Sequence, residues 1–144
     1  KDFQSYYKKN CTKTTKPRFG VKFFLKWSNK KFTNVISTNK PKYLSEKIIQ
    51  NLGLGKYIDN IFGADTLKYK KPDPKHLNKI INIYNIKANQ CVFFGDSEVD
   101  WLMTKKLGVD FFLISQGYLS KKIKINRNNK IENFFEAKKK LLSQ

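Results

Sequence analysis

The run Cys91-Val92-Phe93-Phe94 is apolar at four consecutive positions, without the alternation of a strand that has one wet face. A strand of that kind is covered on both faces, as in a parallel sheet held between layers of helix. It is one of a series. Phe32–Ser37 reads as a short buried strand, Ile61–Ala64 as a weaker one and Phe111–Ile114 as the last. Around them the apolar period becomes helical. Val21, Phe24 and Leu25 precede the first strand, and Leu44, Ile48, Ile49 and Leu52 follow it, stopped by Gly53. Leu77, Ile80, Ile81 and Tyr84 describe another helix, and Val99, Leu102, Met103 and Leu107 one that ends at Gly108. Pro41 is placed as a first helical residue. Ile131, Phe134, Phe135, Leu141 and Leu142 outline a terminal helix. Strand and helix in this repeated order predict an α/β fold, a parallel sheet with helices on both faces.

A chain of 144 residues, 40% apolar and 15% aromatic, has the material for one packed core. No apolar span reaches the ~18 residues of a membrane helix, and no signal-peptide pattern opens the sequence. Cys11 and Cys91 are too few for a disulfide scaffold, and with the one histidine, His76, they make no zinc cluster. The expectation is a soluble, cytoplasmic protein with reduced thiols. The 30 Lys+Arg against 11 Asp+Glu give a net charge of +19, and all but Arg18 and Arg127 of the cations are lysine. Such a field attracts anions, nucleic acid and acidic lipid among them. The lysines are dispersed, however, and accompany many Asn, Ile, Phe and Tyr, as AT-rich codon usage would produce. Dispersed charge is a weaker footprint than a patch. The expectation is therefore that neither nucleic acid nor a membrane is the partner; a non-catalytic basic module that binds phosphate or nucleic acid is the alternative.

Ligands of open parallel sheets collect beyond the carboxyl ends of the strands, so the residues that follow each strand carry the chemistry. Gly95 lets the chain turn off a buried strand, and Asp96 then sits where the backbone leaves the sheet. With a helix beginning near Ser97, Asp96 and Asp100 share its first turn, and two oxygen donors there suit Mg²⁺, which keeps most of its waters. The plainer alternative is a cap, since Ser97 and Asp100 fit S-x-x-D. Thr38 offers a hydroxyl, and Asn39 and Lys40 offer amides, to a phosphate at the helix opened by Pro41; a helix cap explains them equally. Lys71 differs from neighbouring Lys70 by preceding Pro72, which holds it extended and aims its ammonium. His76 reads as a surface or capping histidine and Cys91 as core packing. Cys11 has no partner that spacing would suggest. The opening residues, with Phe3, Tyr6 and Tyr7 on one side of a short helix and a polar connector at Asn10–Lys16, read like the end of a preceding unit.

Together these tips resemble the haloacid-dehalogenase-like (HAD) hydrolase superfamily, in its phosphoglycolate phosphatase branch. The resemblance runs in order through Val35-Ile36-Ser37-Thr38-Asn39-Lys40-Pro41, Lys71-Pro72-Asp73-Pro74 and Gly95-Asp96-Ser97-Glu98-Val99-Asp100. It continues through Lys106-Leu107-Gly108-Val109 and Gly117-Tyr118, and covers about residues 17–142. It implies a HAD-like core over 17–144, with residues 1–16 the remnant of a helical cap and its connector. It implies that Thr38, with Asn39, binds the transferring phosphoryl group and that Lys71 neutralises it. It further implies that Asp96 binds Mg²⁺, with Asp100 supporting the ion or its waters. The superfamily's first motif, a central strand ending in Asp-x-Asp whose first carboxylate is the nucleophile, has no counterpart in this sequence. The resemblance places that strand between those ending at Ser37 and Gly95. The expectation is a fragment, a split-gene product or a decayed copy, inactive by itself, with two open strand edges that a separate chain or upstream segment would fill.

Overall fold

The structure, a computed structural model, describes residues 15–120 and 123–143, with only the backbone for 115–118. Phe3, Tyr6, Tyr7, Cys11 and most of the connector Asn10–Lys16 lie outside the described residues. The chain divides into two compact units, one ending at Thr66 and the other beginning at Leu67. No helix among the described residues is long and apolar enough to cross a membrane.

The first unit runs α1 (Val21–Ser28), β1 (Val35–Ser37), α2 (Lys42–Asn51) and β2 (Asn60–Phe62). β1 and β2 are parallel, in the register Val35↔Asn60, Ile36↔Ile61 and Ser37↔Phe62. Leu44 and Ile48 of α2 are buried and pack with Leu52. Both strands are shorter than their apolar runs because side chains take over the backbone groups at their ends. Asn34 donates its backbone N–H to the Asp59 carboxylate at 2.7 Å. Its Nδ2 donates to the Tyr57 carbonyl at 2.9 Å, and its Oδ1 accepts from Ser28 Oγ at 3.0 Å. Asn34 is thus held by side-chain bonds to Ser28, Tyr57 and Asp59, while its carbonyl still accepts the Asp59 backbone N–H at 2.8 Å. β2 stops at Phe62 because Gly63 N–H donates to Thr66 Oγ1 at 2.9 Å and Ala64 N–H to the Lys40 carbonyl at 3.0 Å. Pro41 precedes α2 as its extended cap residue instead of opening it.

The second unit runs α3 (Pro74–Ile83), β3 (Val92–Ser97), α4 (Glu98–Leu107), β4 (Asp110–Tyr118), β5 (Lys130–Ile131) and α5 (Phe134–Leu142). β4 lies between β3 and β5, and both pairings are parallel. Leu77 and Ile81 of α3, Met103 of α4 and Val109 form one core cluster, against which Phe93 and Cys91 pack. Phe94 stacks on Phe112 at 5.5 Å and meets Phe134 of α5 at 5.8 Å. Helices therefore cover both faces of this sheet, through alternate residues of the same strands. Cys91 sits at the core as expected, and burial pushes its thiol pKa up.

Burial in the sheet departs from the sequence reading at β3. β4 is buried from Phe111 to Ile114, whereas Val92, Phe93 and Phe94 are only half-buried, although their run is unbroken. β4 has a hydrogen-bonded neighbour on each side; β3 and β1 each have one, among the described strands. Ile131 also differs. It leaves the expected terminal helix for β5, fully buried beside Ile114, because Asn133 accepts the N–H groups of Phe135 and Glu136 and starts α5 after it.

Glu136 of α5 accepts the Glu132 N–H at 2.8 Å and pairs with Lys140 at 3.1 Å. The Glu132 N–H first, and the lysine after it, hold the carboxyl below its ordinary 4.5 despite some opposing desolvation. A carboxylate with a lowered folded pKa stabilises the fold above its unfolded value and loses that contribution as pH falls through the folded one. With a third of the side chain in water, Glu136→Gln is expected to cost about 0.5 kcal/mol at neutral pH. Urea unfolding should show that difference shrinking as the pH drops below 4.5 and through the lowered value.

Candidate active site

β3 runs beyond its apolar residues to include Gly95, Asp96 and Ser97, and α4 begins immediately at Glu98. Asp96 is therefore in the strand, where the register with β4 shifts, and Asp100 is in the first helical turn. The two do not share a turn as the sequence suggested. Gly95 also has a different role from the expected one. Its φ is not in the left-handed region; a Cβ there would stand 2.6 Å from Asp100 Cβ, 2.8 Å from Asp100 Oδ2 and 2.8 Å from the Phe111 ring. Glycine is required because the Asp100 side chain lies over the strand end.

Asp100 is 4% exposed, and both of its carboxylate oxygens are met. Oδ1 accepts from Lys71 Nζ at 2.6 Å, and Oδ2 accepts from Ser97 Oγ at 2.6 Å. The capping alternative for Ser97 is not what forms, because its hydroxyl turns to the carboxylate and makes no side-chain cap bond. Thr104, fully buried one turn on, donates to the Asp100 and Trp101 carbonyls. A buried charge pair of this kind depends on hydrogen bonds that complete it.

Lys71 reaches Asp100 from the loop before α3, across 29 positions of sequence. Its side chain is 11% exposed, and its ammonium also lies 5.9 Å from the centre of the Phe93 ring. Lys70 next to it is exposed. The peptide between Lys71 and Pro72 is cis. Asp73 ends the loop by capping α3, accepting the Lys75 N–H at 2.9 Å, with Pro74 as the first helical residue. His76, expected at the surface, is fully buried, its Nδ1 2.7 Å from the Tyr69 carbonyl. The helical period of Leu77 and Ile80 gave no sign of this, because His76 faces the loop rather than the apolar stripe.

In the first unit, Thr38 extends the ladder by donating its N–H to Phe62 O at 3.0 Å. Its Oγ1 accepts the Lys40 N–H at 3.1 Å, so that amide is committed within the turn. The start of α2 is capped by Asp65, whose carboxylate accepts the Lys42 N–H at 2.8 Å. Neither Thr38 nor Asn39 supplies that cap. Gly63 allows the approach, since a Cβ there would lie 2.4 Å from Lys42 N. A cavity of about 340 Å³ has apolar walls from Ile36, Ile48 and Ile49 and polar groups from Thr38, Lys40 and Ser45.

Among the described residues, no three His, Cys, Asp or Glu gather as a ready metal cage. Asp96 and Asp100 are hard oxygen donors and suit a cation that retains several waters, as Mg²⁺ does. Lys71 on one oxygen of Asp100 and Ser97 on the other engage both carboxylate oxygens of that residue.

Asp100→Asn is expected to destabilise the chain by about 3 kcal/mol, since it leaves a half-buried ammonium uncompensated. Gly95→Ala is expected to cost about 2 kcal/mol by overpacking. If the methyl group acts by displacing Asp100, the double variant in urea unfolding will fall short of additivity by more than about 1 kcal/mol. Additive losses would separate the two positions.

A family model for haloacid dehalogenase-like hydrolases matches residues 1–114. The phosphoglycolate phosphatase of Pseudomonas fluorescens (strain Pf0-1) is 38% identical over 100 residues, covering 69% of this chain and 37% of that protein. That of Vibrio parahaemolyticus is 34% identical over 87 residues, covering 60% of this chain and 38% of that one. The chain thus spans little more than a third of the relatives' length. The crystal structure of a predicted phosphoglycolate phosphatase from Haemophilus somnus matches 99% of this chain and 64% of its own, at TM-score 0.85 and 22% identity. A HAD phosphatase from Thermococcus onnurineus matches 96% of this chain and 64% of its own, at TM-score 0.78 and 22% identity. At such identities the structures share the fold. With the family model matched over most of its length, the chain belongs to the haloacid dehalogenase-like hydrolases.

Proposed function

We propose that this chain is the carboxy-terminal part of the core of a Mg²⁺-dependent phosphatase acting on a small phosphomonoester of the phosphoglycolate kind. The observation that carries the reading is the Lys71–Asp100 pair at the carboxyl end of β3, a fixed ammonium on the sheet edge where such ligands collect. The relatives over the matched region are phosphoglycolate phosphatases, which supports the substrate class.

Lys71 neutralises charge on the phosphoryl oxygens, and Asp100 fixes the direction from which its ammonium does so. Thr38, whose oxygen accepts the Lys40 amide, has its own O–H to donate to a phosphoryl oxygen, with Asn39 beside it. Asp96 would hold Mg²⁺ directly, and Asp100 would support its water shell. The ion, when bound, supplies positive charge against the phosphate. Phosphoryl transfer asks for placement and charge compensation, and these residues provide both.

The nucleophile is not in this chain, whose sequence contains no Asp-x-Asp. The aspartyl-phosphate would form on a strand supplied by another chain or by an upstream segment. The chain alone is therefore expected to show negligible hydrolysis of p-nitrophenyl phosphate. Co-expression with a segment carrying an Asp-x-Asp strand and the rest of a cap should restore it. In the restored enzyme, Asp96→Asn and Lys71→Ala should each lower kcat by at least about 100-fold. Restored turnover that survives Asp96→Asn would refute the metal assignment, and no restoration with any such segment would refute the phosphatase reading.

A further inference from the structure

The histidine that the proposed chemistry leaves unused ties the Lys71 loop to the helix behind it. His76 is the third residue of α3 and is completely buried. A carbonyl only accepts, so the 2.7 Å contact with Tyr69 O requires the proton on Nδ1. The backbone N–H of His76 donates to Asp73 O at 3.1 Å, so this one residue holds both ends of the segment from Tyr69 to Asp73. Within that segment, Asp73 N–H closes onto Lys70 O at 2.9 Å. Lys71 lies inside these closures.

We infer that His76 is a positioning residue for Lys71, acting through an Nδ1–H···O=C bond that sets where the loop backbone stands relative to Asp100. The mechanical path is continuous. His76 is in α3; α3 packs through Leu77 and Ile81 on Met103 of α4; and α4 carries Asp100. The ammonium reaches that carboxylate along a flexible four-carbon stem, so its 2.6 Å approach needs a backbone held at the right distance. Cutting the His76 bond leaves Tyr69 O without its ring donor and frees the loop on the side where Lys71 departs. The meaning of this for catalysis rests on the proposed role of Lys71; the positioning itself does not.

The test uses the 144-residue chain and slow lysine acetylation, quantified by mass spectrometry at Lys71 with exposed Lys70 as internal reference. In the unaltered chain, Lys71 should react on the order of tenfold more slowly than Lys70, because its amine is ion-paired and mostly covered. His76→Phe keeps a ring without the donor, and should raise the Lys71 rate toward that of Lys70, as Asp100→Asn does directly. His76→Asn places an amide N–H where Nδ1–H was and should restore the slow rate. An unchanged Lys71:Lys70 ratio in folded His76→Phe overturns the inference, as does an equal rise in His76→Asn. Should His76→Phe not fold, nitrogen-15 spectra of the unaltered chain still decide, since its one histidine makes assignment unambiguous. A proton on Nδ1 is required, and a bare Nδ1 overturns the inference. A phosphatase test that fails while the labelling pattern holds would remove the proposed function and leave the positioning intact.

Discussion

Asp100 can be buried as a carboxylate because each oxygen has a donor 2.6 Å away, and those donors come from different parts of the chain. Ser97 is local, supplied by the end of the strand that leads into the helix. Lys71 is remote and arrives only if α3, its loop and the sheet have all assembled. The pair is thus a statement about tertiary structure as much as about charge. Its desolvation is offset by completing every bond, which links the integrity of the site to the packing of Met103, Leu77 and Ile81 beneath it. Gly95, Thr104 and Phe93 are best understood as the walls of that arrangement.

The two small sheets express a second constraint. A parallel strand is stable when both its faces and both its ladders are covered. β4 meets this condition and is buried along Phe111–Ile114; β3, no less apolar in sequence, has a neighbour on one side among the described strands and is only half-buried. The difference lies in what flanks each strand, since Phe93 and Phe94 stack on Phe111 and Phe112 in register.

Much of the fold was legible in the sequence because periodicity reports which side of an element is buried. The helices around Phe24, Leu44, Leu77 and Met103 fall where their spacing puts them, and α4 ends at Gly108 in the left-handed conformation. Strand ends were not legible, since single side chains fix them: Asp59, 25 residues on, takes the Asn34 backbone N–H, and Asn133 starts α5 late enough to free Ile131 for β5. Lys71, Ser97 and Asp100 could each be singled out, but not their mutual contacts, because neither a 29-residue separation nor a serine's choice of partner leaves a pattern. His76 was misplaced for the same reason. A lone polar residue near a helix start looks identical whether it faces water or clasps a carbonyl.

The absence of any side chain at Gly95 also governs how this sequence can drift. Exposed surface positions accept other side chains at little cost. At position 95 the space is already filled by the neighbouring acid, so the smallest mutational step available, one methyl group, collides with it. Substitution can therefore reshape the exterior of the molecule while position 95, like Gly63 against the Lys42 backbone, stays closed to it.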